Sequence, residues 1–130
     1  MDGKNQRVIL ELTEGSHPSG IAVHHYSANQ SRLYFTDRSA HEVYYIELDG
    51  NHSRPFISSE VIDPIDLTIL GDTLYLTDAG GSGVWDGGVY SALLGGPGNV
   101  SKVIDLLKDA WDIDSYDLDS IYSPGKCLLT

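Results

Sequence analysis

Arg32-Leu33-Tyr34-Phe35-Thr36-Asp37 returns as Thr73-Leu74-Tyr75-Leu76-Thr77-Asp78, and the residues around the two stretches return with them. Val43 to Gly50 is echoed 46 positions later by Val89 to Gly96, and Pro18-Ser19-Gly20-Ile21 by Pro64-Ile65-Asp66-Leu67. Ala110-Trp111-Asp112-Ile113 follows after the same interval, so a third unit begins. A repeat of this length is one supersecondary unit that cannot bury its apolar faces alone. Each unit must stack on a neighbour, which decides the fold and weighs against most enzyme readings.

Inside a unit, short apolar alternations are divided by turn residues, the pattern of short antiparallel strands. The first unit predicts strands over 21–24, 32–36, 42–48 and 54–57, with 27–31 as a polar loop and Asp49-Gly50 as a hairpin turn. Leu33 and Phe35 share one face of their strand, Tyr34 and Thr36 the other. The second unit predicts strands over 67–70, 73–77, 88–93 and 100–104, with Gly71-Asp72 a tight turn. Residues 106–109 are read as a short helical turn, and 113–116 as the strand that opens the third unit. Four strands and a connection make one blade of a propeller. The fold class is therefore all-β, a partial β-propeller of about two and a half four-stranded antiparallel blades.

The chain has 130 residues, enough for one domain with a substantial core. No apolar run approaches a membrane span, and Met1-Asp2-Gly3-Lys4 is not a secretory signal. Met1-Asp2-Gly3 aligns with Leu48-Asp49-Gly50, and Val8-Ile9 roughly with Phe56-Ile57, so the sequence is expected to start inside a repeat of a longer protein. Net charge is −11, with seven acids and five bases over residues 1–54 against twelve and three over 55–130. Such a surface repels nucleic acid and anionic membrane; its plainer reading is solubility, and the alternative is attraction of basic protein ligands.

Cys127 is the one cysteine, and one cysteine makes no internal disulfide. Asn29-Gln30-Ser31, Asn51-His52-Ser53 and Asn99-Val100-Ser101 are N-x-Ser sequons in expected loops or strand edges. They favour a secreted or lumenal setting in which asparagine carries glycan.

The two Leu-Tyr-x-x-Asp stretches resemble the YWTD motif of the repeats in the low-density lipoprotein receptor family. Pro18-x-Gly20-Ile21-Ala22-Val23 is similar to that family's first-strand pattern, Leu48-Asp49-Gly50 to its turn, and Ser53-Arg54-Pro55-Phe56-Ile57 to its outer strand. The resemblance covers roughly residues 1–116. Phe35 and Leu76 stand where the family prefers Trp, which keeps apolar bulk and loses an indole N–H. His24 stands where the family usually has Asp, and the insertion Tyr26 to Gln30 is longer than usual.

The resemblance implies a six-bladed ring, of which this chain supplies the C-terminal part. It divides as the end of a preceding blade and a linker over 1–20, blades over 21–66 and 67–112, the start of a closing blade over 113–126, and the start of an epidermal-growth-factor-like module over 127–130. It implies an extracellular protein-ligand-binding segment of a receptor of the endocytic or Wnt co-receptor type, on the outer side of the cell membrane or secreted. The partners implied are a protein ligand, of basic character, and the remaining blades; no nucleic acid, membrane insertion of this segment, cofactor or metal is expected. The alternative is a fragment of a six-bladed calcium-dependent lactonase-type hydrolase, and a third reading is a small β-protein that closes a ring by oligomerising.

The candidate residues follow. Tyr34, Thr36, Asp37, Tyr75, Thr77 and Asp78 are structural: a carboxylate at a buried strand end persists only when hydrogen-bonded. Asp112, Asp114, Asp117 and Asp119 alternate but lack the central Gly and terminal Glu of an EF-hand loop. The five histidines lack zinc spacing, since His24 and His25 point to opposite faces of a strand; His24 is a candidate sensor of endosomal pH. The Gly-rich stretch 79–88 has no Lys of a phosphate loop, and its Trp85 is the candidate ligand contact. No catalytic residue is expected.

Overall fold

The computed structural model describes residues 3–50, 52–81, 87–105 and 111–115. Among the described residues, eight strands form two four-stranded antiparallel sheets. The first holds β1 (Pro18–Ser27), β2 (Gln30–Asp37), β3 (Glu42–Glu47) and β4 (Arg54–Ile57); the second holds β5 (Pro64–Leu70), β6 (Thr73–Asp78), β7 (Gly88–Leu93) and β8 (Ser101–Asp105). Within each sheet every strand pairs with the next in sequence, as short connections dictate. The described residues are all-β, a partial β-propeller of two four-stranded blades, with residues 111–115 laid against the second.

The repeat is visible in the register. In the first sheet Pro18 pairs with Asp37 and Ile21 with Phe35, so Ser19 and Gly20 bulge opposite Thr36. In the second, Pro64 pairs with Asp78 and Leu67 with Leu76, so Ile65 and Asp66 bulge opposite Thr77. The bulge frees one backbone N–H from the ladder, and the threonine hydroxyl takes it: Gly20 N–H donates to Thr36 Oγ1 (2.7 Å) and Asp66 N–H to Thr77 Oγ1 (3.2 Å). This gives the Pro-x-Gly/Asp and Thr-Asp signals one shared purpose.

The core lies between the sheets. From the first come Tyr34, Val43 and Ile57; from the second come Leu67, Leu74, Leu76, Tyr90 and Ala92, all buried. We call this face of the first sheet its trailing face and that of the second its leading face. Tyr34 meets Tyr45 across the strands, with ring centroids 5.9 Å apart, and Phe56 edge-on at 5.4 Å. Polar ties cross the same junction. Ile65 C=O accepts from Ser19 Oγ (2.5 Å) and Thr36 Oγ1 (3.1 Å). Arg38 binds Asp63 with two parallel bonds of 2.7 and 2.8 Å, a geometry that fixes orientation as well as charge. Two glycines permit the approach: an added Cβ would lie 2.6 Å from Asp66 Cα at Gly20 and 1.7 Å from Phe56 O at Gly98.

Three expectations are corrected. The polar loop over 27–31 is instead a tight turn, because β1 and β2 extend until Ser27 pairs with Gln30; the insertion lengthens a hairpin. Val8-Ile9, which aligns with Phe56-Ile57 of β4, lies outside any strand, and Val8 is 72% exposed. The first strands of both sheets also start earlier: β1 begins at Pro18 and β5 at Pro64, three residues ahead of the strand starts read from sequence at 21 and 67, because the bulge belongs to its strand. Residues 113–115 form no strand, yet Ile113 N–H donates to Asp66 Oδ2 (3.2 Å) and Ser115 Oγ to Ile69 O (3.1 Å). Residues 106–109 lie outside the described residues.

Candidate functional site

The two strand-end aspartates spend their oxygens on backbone. Asp37 Oδ1 accepts from the N–H groups of His17 (3.1 Å), Ser39 (3.0 Å) and Ala40 (3.3 Å). Burial pushes the Asp37 carboxyl up, but the bonds from His17 and Ala40, with the Ser16 hydroxyl and Ser39, outweigh it and hold the group below the usual carboxylate range. Asp78 uses both oxygens: Oδ2 accepts from Ile62 N–H (2.7 Å), Oδ1 from Asp63 and Gly80 N–H (2.8 Å each). Each carboxylate thus fastens the segment leading into its blade and the turn leaving β2 or β6. Tyr34 lies in the blade junction, and burial pushes its phenol up. Tyr75, its counterpart, is half-buried.

These anchors position a polar cleft at one end of the junction. Its volume is about 510 Å³, and His17, Arg38, Ser39, His41, Ile62 and Asp63 line it with Gly80 and Gly81. His17 Nδ1 and Ser39 Oγ are 2.6 Å apart, and His41 Nδ1 hydrogen-bonds Ile62 O. The Trp111 ring, 58% exposed, stands over the Arg38 guanidinium, 5.8 Å from its carbon. A cation held by a carboxylate under an indole is a rigid amphipathic platform, the composition from which binding hot spots are built.

At the opposite end Arg32 lies between the Tyr26 and Tyr45 rings, 5.0 and 4.8 Å from their centroids. Arg32 Nε meets Glu47 Oε1 at 2.5 Å, and Tyr26 Oη donates to Glu47 Oε2 at 2.8 Å. Burial raises the Glu47 carboxyl, while the bonds from Arg32 and Tyr26 prevail and lower it. His24 Nε2 stands 3.6 Å from Asp72 Oδ1 across the junction, and His25 Nδ1 is 2.6 Å from Ser31 Oγ on the other face.

The leading face of the first sheet is covered in part, with Phe35 and Ile46 buried. Val8, Ile9, Leu10 and Leu12 cross it beside Ile21, Leu33 and Phe35, leaving an apolar groove of about 430 Å³. Ile21 is 63% exposed there.

Of the acidic cluster, Asp112 and Asp114 are described and exposed. Asp112 sits beside Asp66, whose carboxyl burial pushes up, with the Asp112 charge adding to that and the Leu67 and Ile113 N–H groups opposing it. No group of three His, Cys, Asp or Glu able to hold a metal occurs among the described residues. Asn29 is exposed at the β1–β2 turn and Asn99 in the β7–β8 loop. Trp85, Asn51, Asp117, Asp119 and Cys127 lie outside the described residues. Sequence reading missed Arg38, Asp63 and Trp111, and also Arg32 with Glu47. The repeat places 38, 63 and 111 at one end of consecutive units, which is the signal that would have found them.

No protein-family model matches the chain. Among the described residues no helix is long and apolar enough to cross a membrane.

Proposed function

We propose that the chain is a segment of an extracellular, receptor-type propeller of YWTD-like repeats, which binds a protein ligand through loops fixed on stacked blades. The observation that carries this reading is the use of Asp37 and Asp78. Asp37 Oδ1 and both oxygens of Asp78 are committed to backbone N–H groups of the segments entering and leaving their blades, so the motif builds a scaffold and leaves its loops to make contacts. The cleft beside those anchors, with Arg38 and Trp111, supplies a rigid platform. The charge of −11 favours a ligand of basic character. The exposed part of the first sheet's leading face is suited to a further blade of the same ring.

The test is direct binding. The full chain, immobilised, is presented with a panel of basic extracellular protein domains across a salt series. Saturable binding that weakens with salt and is lost in Trp111→Ala supports the reading. Absence of saturable binding, together with lactone hydrolysis that requires added calcium, would replace it with the hydrolase reading.

A further inference from the structure

We infer that the groove beneath the β7–β8 loop is the seat of the first sugar of an N-linked glycan on Asn99, an inference that rests on the extracellular reading above. The groove is about 420 Å³ and is lined by Tyr75, Leu93 and Pro97, by the hydroxyl residues Thr73, Ser91 and Ser101, and by Asn99 itself. Leu93 is 66% exposed in it, although its counterpart in the first sheet is Glu47, held by Arg32. A large aliphatic side chain thus faces solvent next to a sequon.

N-acetylglucosamine suits that chemistry. It presents an apolar C–H face and an acetyl methyl, which pack on an aromatic ring and on Leu and Pro, with a rim of hydroxyls for the Thr and Ser side chains. The loop is anchored on both sides of the asparagine. Gly98, at φ +79°, is pressed against Phe56 O, and Val100 packs on the core. Asn99 is held exposed between these two fixed points. In the transfer, Asn99 Nδ2 bonds to the anomeric carbon of a lipid-pyrophosphate-linked oligosaccharide; the carbon–oxygen bond to pyrophosphate breaks, and the amide proton leaves to solvent.

Asn29 provides the contrast. Its surroundings are Arg7, Tyr26, Gln30, Ser31, Glu47, Leu48 and Asp49. Three of these are charged, and Tyr26 is already engaged by Arg32 on its ring and by Glu47 at its hydroxyl, so a sugar there is expected to add little.

The test is to secrete the full chain from a eukaryotic cell, map glycans by peptide mass spectrometry and measure Tm. Asn99 is occupied, and trimming to a single N-acetylglucosamine leaves Tm unchanged. Ser101→Ala, which blocks transfer, lowers Tm by about 2–4 °C but is neutral in chain made without glycosylation. Leu93→Ser removes the glycan's advantage, and Asn29→Gln changes nothing. Occupied Asn29 with bare Asn99, or an occupied Asn99 with no Tm advantage, overturns the seat while leaving the extracellular reading intact. A secreted chain with no glycan at any sequon overturns both. Ligand binding, measured on unglycosylated chain, is independent of each outcome.

Discussion

The leading faces of the two sheets are built alike and are covered to different extents: Phe35 and Ile46 on the first are buried, while Ile21 beside them stands in solvent. Leu67 and Leu76 on the second are 3% and 0% exposed. Their counterparts on the first are Ile21, 63% exposed, and Phe35, which is buried under the chain that precedes β1 and beside the stacked ring of Tyr44. The alternation, the bulge and the strand pairing are the same in both. What differs is that the second sheet has a neighbour's trailing face upon it. Burial in this architecture comes from stacking, and a blade's own sequence only prepares for it.

The comparison breaks first under truncation of those residues. Leu67→Ala is expected to cost about 2–5 kcal/mol, whereas Ile21→Ala costs on the order of 0.5 kcal/mol or less, both read from urea melts of the full chain. Equal costs would mean that the junction contributes no more than an open face. Next come the glycines at the junction. Gly20→Ala forces a methyl against Asp66 Cα, 2.6 Å away, and is expected to lose roughly 1–3 kcal/mol. Gly15→Ala is the control: an added Cβ there meets nothing within 4 Å, although its φ of +91° carries a smaller backbone cost of its own.

The aspartates sharpen the comparison further. Asp78 accepts on both oxygens, so Asp78→Asn turns an amide NH₂ toward a backbone N–H and costs roughly 1–3 kcal/mol. Asp37 takes all three of its backbone bonds on Oδ1, which the asparagine oxygen retains, so Asp37→Asn costs less. Thermal melts of the two variants should rank in that order. The Asp37 carboxyl is lowered in the folded chain, so its contribution is present above the unfolded carboxylate pKa and is lost as pH falls through the folded value.

The smallest effect has the opposite sign. The Asp66 carboxyl is raised by burial and by Asp112. The folded chain therefore binds this proton more tightly than the unfolded one, and stability is lost as pH rises from the unfolded toward the folded value. Asp66→Asn is expected to raise Tm slightly at pH 7 and to leave it unchanged at low pH; a fall at pH 7 would contradict the assignment.

The strands were legible because their signals are local. β4 at Arg54–Ile57 and β7 at Gly88–Leu93 fall where alternation and turn residues put them. The insertion from Tyr26 was read as a loop because its polar residues carry no strand signal. It pairs because Arg32 between two tyrosines, with Glu47, rewards a longer hairpin, and that contact spans three strands. The bulge was hidden for a related reason: Pro-x-Gly before a strand does not say that two residues will oppose one threonine. The cleft residues Arg38, Asp63 and Trp111 meet only when blades stack, so no window of sequence contains them together. Asp37 and Asp78 stood out as buried strand-end acids, while their individual donors depend on backbone geometry.

The most direct measurement is native-state thiol labelling of Ile21→Cys and Leu67→Cys in a Cys127→Ser background. Stacked, equivalent units predict that the cysteine at 21 reacts nearly as fast as in denaturant and the one at 67 slower by orders of magnitude. Equal rates at the two positions would show that the second blade's leading face is not covered by the first, and the account would fall.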